Sequence, residues 1–168
     1  LPGGFAHGDY LRTGAIARFS PVMKSVAAMA EAGRPVLGIC NGFQILCEAG
    51  LLPGGFIANR GLSFLCKWVD LEVADQASML TAGLQPGTHI RLPLNSYEGN
   101  FVSGSTEARV VLTYRDNING SDGAAAAVAN GAGNVVGVMP HPERASADWL
   151  GSSDGNLLLS SFLQASAA

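Results

Sequence analysis

The residue best placed for covalent chemistry is Cys40, in the pentapeptide Gly38-Ile39-Cys40-Asn41-Gly42. A GxCxG arrangement holds a nucleophile on a sharp strand-to-helix turn. A Cβ at either flanking glycine would collide in so tight a turn. A thiol at the start of a helix lies beside the positive end of the dipole and beside free N–H groups, which favour thiolate and lower its pKa. The N–H of Asn41 would face an oxyanion formed on an attacked carbonyl. Free cysteines are otherwise usually small buried hydrophobes, and Cys47 and Cys66, which lack such a turn, are read as core residues.

A thiol nucleophile needs a base, and the chain offers His7, His89 and His141. His141 follows the apolar run Val135–Val138 within Met139-Pro140-His141-Pro142-Glu143. That is the carboxyl end of an expected strand, where open α/β sheets place their sites. Glu143 can turn back onto the second ring nitrogen and fix tautomer and orientation, completing a nucleophile–base–orienter set. The neighbouring prolines stiffen the excursion. His89 heads an alternating strand and reads as structural, while His7 sits in a loop beside Asp9. Pro2-Gly3-Gly4-Phe5 would bring backbone N–H groups to a reacting carbonyl, one of them pairing with that of Asn41.

The elements that must position these residues follow from periodicity. Ser20-Pro21 is a helix start, with the Ser oxygen as cap and Pro in the first turn. Val22, Val26, Met29 and Ala30 recur at helical spacing, and Gly33 ends the run. Pro35–Ile39 reads as a buried strand, and a helix from the Cys40 turn carries Phe43, Ile45, Leu46 and Ala49 up to Gly50. Further strands are expected at 68–73, 90–94, 109–114, 124–129 and 134–139, with Asn130-Gly131 as a turn. A last helix spans 156–164 with Leu157, Leu158, Leu159 and Phe162 inward. Alternating helices and buried strands place the chain in the α/β class.

Composition bounds the function. The 168 residues suit one domain, with 48% hydrophobic and 14% charged residues and 22 glycines. Charged residues average about 25% in globular proteins, so disorder, which needs high charge and low hydrophobicity, is excluded. No apolar run approaches the roughly 20 residues of a membrane helix. Net charge −3 without a Lys/Arg cluster argues against nucleic acid. Three cysteines without CxxC spacing suggest neither a disulfide framework nor a zinc site. Leu1 to Arg12 has no apolar run of the signal-peptide kind, so a cytoplasmic location is expected.

Cys40 in GICNGFQIL, His141 and Glu143 in MPHPER, and the opening LPGGF together resemble class I, triad-type glutamine amidotransferases. GGFAHGDYLRTGAIA, GICNGFQILCEAGLLPG, DNINGS and GNVVGVMPHPERA resemble more closely the glutaminase subunits of phosphoribosylformylglycinamidine synthase, in their small separate-subunit form. The resemblance implies a flavodoxin-like open, mostly parallel sheet with helices on both faces and an antiparallel section. It implies that Cys40 attacks the side-chain amide of glutamine to form a glutamyl thioester, with His141 as acid and base held by Glu143. Gly4 and Asn41 would supply oxyanion-hole N–H groups, Gln44 would help bind glutamine, and Asp9, Tyr10 and Arg12 would face a partner. Ammonia would pass to a large synthetase subunit, accompanied by a small third subunit. That synthetase would use ATP and Mg to convert formylglycinamide ribonucleotide to the amidine in de novo purine synthesis. No cofactor is expected on this chain.

Two departures stand out. Tyr97, in Ser96-Tyr97-Glu98-Gly99, replaces a Gly of the pattern and would be strained at any position of positive φ. The strand–helix–strand that precedes LPGG in the family is absent, so residues 1–168 are expected to be an N-terminally truncated single amidotransferase domain. Two other readings stay open in the sequence. One is a glutaminase serving a GMP-, CTP- or anthranilate-type synthetase, separable by its copurifying partner. The other is a non-catalytic subunit of the same fold, which intact Cys40, His141 and Glu143 argue against.

Overall fold

The computed structural model describes residues 1–5, 13–105 and 107–167. Helices α1 (Thr13–Ala17) and α2 (Val22–Glu31) precede strand β1 (Val36–Ile39) and helix α3 (Asn41–Glu48). Short strand β2 (Gly55–Ile57) leads to the long strands β3 (Leu65–Val73) and β4 (His89–Ser96). Then come β5 (Asn100–Val102), β6 (Arg109–Tyr114), β7 (Ala125–Ala129), β8 (Val135–Val138) and helix α4 (Gly155–Ala167).

The main sheet runs β1-β8-β7-β6-β3-β4. Its parallel part pairs β1 with β8, from Val36 opposite Val135 to Ile39 opposite Val138. On the other edge of β1, the Leu1 amine donates to the Leu37 carbonyl at 2.7 Å and the Leu1 carbonyl accepts the Ile39 N–H at 2.9 Å. Beyond β8 the neighbours are antiparallel, so the antiparallel section is the larger part of this α/β sheet. β7 and β8 are buried along their whole length, as unbroken apolar runs between covered faces require. The five residues Ala-Ala-Ala-Val-Ala of β7 form a strand despite alanine's weak β preference, because burial between β6 and β8 outweighs propensity.

Helix α3 carries the site and docks through Phe43. A Cβ at Gly137 of β8 would overlap the Phe43 ring, so the glycine opens the space that the ring fills. β2 and β5 form a separate two-stranded sheet that brings Phe56 and Phe101 onto the same ring. Phe56 meets Phe43 edge-on at 4.8 Å and Phe101 stacks at 5.8 Å. Three-residue strands carry too little alternation to be seen by periodicity, and both were absent from the expected elements, as was α1.

Several expectations need correction. Ser20 does not cap α2 with its side chain; its carbonyl accepts the Met23 N–H at 2.9 Å instead. Met23 is the buried residue of that helix, with Val26 and Ala30 half-buried, whereas Val22 and Met29 face outward. In α4 Leu158 is buried as expected, together with Gly155 and Ser161; Leu159 and Phe162 are half-buried, Phe162 against the core, and Leu157 is exposed. Helix rotation is set by which neighbour each face meets, and an apolar residue beside the stripe can lie outside it. Among the described residues, no helix is long and apolar enough to cross a membrane.

Phe43→Ala should cost about 3–5 kcal/mol, because it empties the centre of the three-ring cluster. Leu163→Ala, on the exposed side of α4, should change stability by no more than about 0.5 kcal/mol. Urea denaturation of both variants measures the contrast.

Candidate active site

Cys40 sits at the junction of β1 and α3 with φ 53° and ψ −109°, a left-handed-side backbone that costs a non-glycine residue of order 1–3 kcal/mol. Its backbone is bonded on both sides: the N–H donates to Val138 of β8 at 2.8 Å, and the carbonyl accepts from Phe43 at 3.0 Å and Gln44 at 3.2 Å. The flanking glycines are needed for the reason expected. A Cβ on Gly38 would lie 2.6 Å from the Gly42 carbonyl oxygen and from Leu46 Cδ1, and one on Gly42 would overlap the Leu1 carbonyl. Cys40 is fully buried, and its thiol donates to the Asn95 carbonyl at 3.6 Å. The Asn41 and Gly42 N–H groups open helix α3 ahead of its internal ladder, where an anion is favoured.

His141 follows β8 and its connecting residues, and its main-chain N–H donates to the Pro93 carbonyl of β4 at 2.9 Å. The ring is buried, with Nδ1 2.6 Å from Glu143 Oε1. Glu143 lies in a 3-10 turn, Pro142–Ala145, whose first proline fixes the entry angle. An ionised carboxylate can only accept, so Nδ1 carries the proton in this pair, and in the neutral imidazole Nε2 presents its lone pair. Nε2 is buried and makes no hydrogen bond. A Cβ built on Gly3 would be 3.0 Å from both Cys40 Cβ and His141 Cε1, the ring carbon next to Nε2. Cys40, His141 and the glycine loop therefore converge on one point, and a side chain at Gly3 would crowd both residues.

Gly4 follows with φ +119° and Phe5 with φ +54°. The Phe5 N–H donates to Asn41 Oδ1 at 2.8 Å, Asn41 Nδ2 donates to Gln44 Oε1 at 2.8 Å, and Gln44 Nε2 donates to the Glu98 carbonyl at 2.8 Å. The glycine loop, the first turn of α3 and the Tyr97–Gly99 loop are thus tied together. Tyr97 is not among the non-glycine residues of positive φ, so the strain expected there does not arise, and its carbonyl accepts the Asn59 N–H at 2.9 Å.

A cavity of about 350 Å³ opens over the site, lined by Gly3, Gly4, Phe5, Asn95, His141 and Glu143 among others. Another cavity, about 760 Å³, lies elsewhere, around Gly50, Asp75, Arg109 and Asn130, away from the thiol. Two site residues escaped the sequence reading. Asn95 ends β4 beside Cys40, with Nδ2 buried and without a hydrogen bond. Tyr114 ends β6, and burial, with the nearby Cys40 adding to it, pushes its hydroxyl pKa up. Tyr114 ends an expected strand and Asn95 falls one residue past another, and nothing local marks either as lying near a thiol 55 or more positions away. Asp9, Tyr10, Arg12 and His7 lie outside the described residues. His89 is exposed on β4, with Nε2 3.8 Å from Glu72. Among the described residues no group of His, Cys, Asp and Glu could hold a metal ion.

The CobB/CobQ-like glutamine amidotransferase domain family matches residues 1–113. The phosphoribosylformylglycinamidine synthase subunit PurQ of Mycobacterium bovis is 51% identical over 164 residues, which cover 94% of this chain and 73% of the relative. That of Thermomicrobium roseum is 49% identical, covering 97% of this chain and 76% of the relative. Among solved structures, PurLQS from Thermotoga maritima superposes with a TM-score of 0.92 at 44% identity, over 96% of this chain and 76% of that one.

The other two thiols differ from each other. Cys47 is buried as expected and donates to the Pro53 carbonyl at 3.5 Å. Burial first, and the Glu48 charge second, push its pKa up to about 12. Cys66 is exposed, contrary to the core assignment. It lies in the first half of β3, which pairs only with β4 and turns Cys66, Lys67 and Trp68 to solvent. In the native protein iodoacetamide should therefore modify Cys66 and leave Cys47 untouched, as peptide mapping by mass spectrometry would reveal. The raised Cys47 pKa also fixes a pH dependence. Unfolded Cys47 ionises near its ordinary 9.0 while the folded thiol resists to about 12, so this contribution to stability is complete below pH 9 and is lost as pH rises toward 12. The urea midpoint should fall across that window, and Cys47→Ala should reduce the fall.

Proposed function

The chain belongs to the PurQ family, the glutamine amidotransferase subunits of phosphoribosylformylglycinamidine synthase, and we propose that Cys40, His141 and Glu143 carry its glutaminase chemistry. The protein is a glutaminase subunit that supplies ammonia for formylglycinamidine ribonucleotide formation in de novo purine biosynthesis, working with synthetase subunits. The observation that carries the residue assignment is the buried His141 ring, held at Nδ1 by Glu143 and bare at Nε2, converging with the strained Cys40 turn on Gly3.

In the proposed sequence the Cys40 thiol gives its proton to His141 Nε2 and the sulfur attacks the glutamine side-chain carbonyl carbon. The resulting oxyanion is met by the Asn41 and Gly4 N–H groups. His141 returns the proton to the departing nitrogen as the C–N bond breaks, leaving ammonia and a glutamyl thioester. Nε2 then takes a proton from water, whose oxygen attacks the thioester, and glutamate leaves as the thiol is re-formed. Glu143 stays ionised and stabilises the imidazolium in both halves. Gln44, by holding the Glu98 carbonyl, shapes the wall on which the glutamine backbone would rest. Asp9, Tyr10 and Arg12 are assigned to the synthetase contact on the strength of their motif. ATP and Mg are assigned to the synthetase subunit, and the cytoplasm is the proposed location.

A diazo-ketone analogue of glutamine should label Cys40 alone, and Cys40→Ala should abolish ammonia release by the assembled complex. Labelling centred on Cys47 or Cys66 would end this assignment. Glu143→Gln should lower kcat at least tenfold with little change in KM, because it weakens the imidazolium and not substrate binding.

A further inference from the structure

The Gly3-Gly4-Phe5 loop must present an N–H group to the reacting carbonyl, yet its conformation is one a free chain avoids. Phe5 has φ +54°, a region that L side chains with a Cβ rarely occupy. Among the described residues, two contacts hold it there. The Phe5 ring meets the Phe64 ring at 5.9 Å, with both rings part-exposed at the surface. The Phe5 N–H donates to Asn41 Oδ1 at 2.8 Å, and Asn41 is 5% exposed. The second contact is the one shielded from water, where a hydrogen bond is electrostatically stronger.

The orientation of the Asn41 carboxamide is not free. It accepts from Phe5, donates to Gln44 Oε1, and Gln44 in turn donates to Glu98. Both ends of this relay are main-chain groups of fixed polarity, an N–H at Phe5 and a C=O at Glu98. Flipping either side-chain amide would set donor against donor and acceptor against acceptor, so the four groups have a single consistent arrangement.

We propose that the Asn41 side chain is a positioning residue for the oxyanion hole. By accepting from the Phe5 N–H it fixes the Gly4–Phe5 peptide, and through the Gly4 turn (φ +119°) it sets the preceding Gly3–Gly4 peptide, whose N–H would meet the oxyanion. Asn41 then serves twice, as a donor through its own main-chain N–H and through its side chain as the anchor of the second donor. The inference rests on the glutaminase reading above. It adds that nucleophile helix and glycine loop are set as one unit, with the Glu98 loop tied to them through Gln44.

Every substitution at position 41 except proline keeps the main-chain N–H, so Asn41→Ala isolates the side-chain role. In the complex reconstituted with its synthetase subunits, Asn41→Ala should lower kcat for ammonia release about 10²-fold, the scale of losing one oxyanion donor. KM for glutamine should stay within about threefold. Iodoacetamide alkylation of Cys40 should stay within about twofold, since sulfur displaces iodide from a saturated carbon and no oxyanion forms. Asn41→Leu, which fills the volume without the acceptor, reads as Asn41→Ala should the smaller side chain prevent folding. The proposal is overturned by a kcat for Asn41→Ala within threefold of the parent or by alkylation falling in step with kcat. Ammonia release that persists in Cys40→Ala would instead remove the glutaminase reading itself, and that measurement is separate.

Discussion

The backbone of Cys40 is the constraint on which the rest of the site depends. At φ 53° and ψ −109° the chain turns from strand to helix within one residue, leaving the first N–H groups of α3 beside the thiol. Such a conformation persists only where the surroundings over-determine it. Here the Cys40 N–H is taken by β8 and its carbonyl by two residues of α3. Close approach does the remainder: Gly38 lies against Gly42 and Leu46, Gly42 against Leu1, and Gly137 under the Phe43 ring. Glycine at these places is dictated by what has to be near Cys40, so the sequence bias toward glycine is in part the signature of one turn.

The two halves of the site come from different parts of the sheet. The sulfur side is built by local sequence, since β1, Cys40 and α3 are contiguous. The base side depends on long-range pairing, because His141 reaches its place only when β8 lies beside β1 and β4 offers the Pro93 carbonyl to its N–H. β4 also supplies the Asn95 carbonyl that accepts the thiol proton. The antiparallel section is therefore part of the site and not only its support. A change that shifted β4 would move the acceptor of the thiol and the anchor of the histidine together.

That division explains what could be read from residues alone. The Cys40 turn, the His141–Glu143 pair and most strands rest on short-range patterns: a glycine-flanked nucleophile, a spacing of two, and alternation or apolar runs. Asn95, Tyr114 and the Asn41 relay rest on strand register and on which way one carboxamide faces, and no local pattern records those. Cys66 was misassigned because a free cysteine outside a nucleophile turn reads as a small buried hydrophobe, whereas β3 starts before the expected 68 and is covered by β6 only from Leu71 to Val73, leaving its first half against β4 alone. Tyr97 looked costly only on the assumption of a positive φ, and the loop bends elsewhere. Asp9, Tyr10 and Arg12 remain assignments made on sequence.

Polar satisfaction separates the parts of the site that are finished from the part that waits for substrate. The relay from Phe5 to Glu98 pairs every carboxamide group that it uses. Beside it, Asn95 Nδ2, Ser96 Oγ and His141 Nε2 are buried without hydrogen bonds. Each such group costs about 1–3 kcal/mol when left unpaired, and native proteins keep few of them. Tyr114 Oη on β6 is a fourth such atom among the described residues, and of the four residues Asn95 and His141 line the cavity over the site. Glutamine brings both amide and amino-acid groups, which can pair with such atoms. The satisfied relay meanwhile ties the glycine loop to helix α3 and to the Glu98 loop.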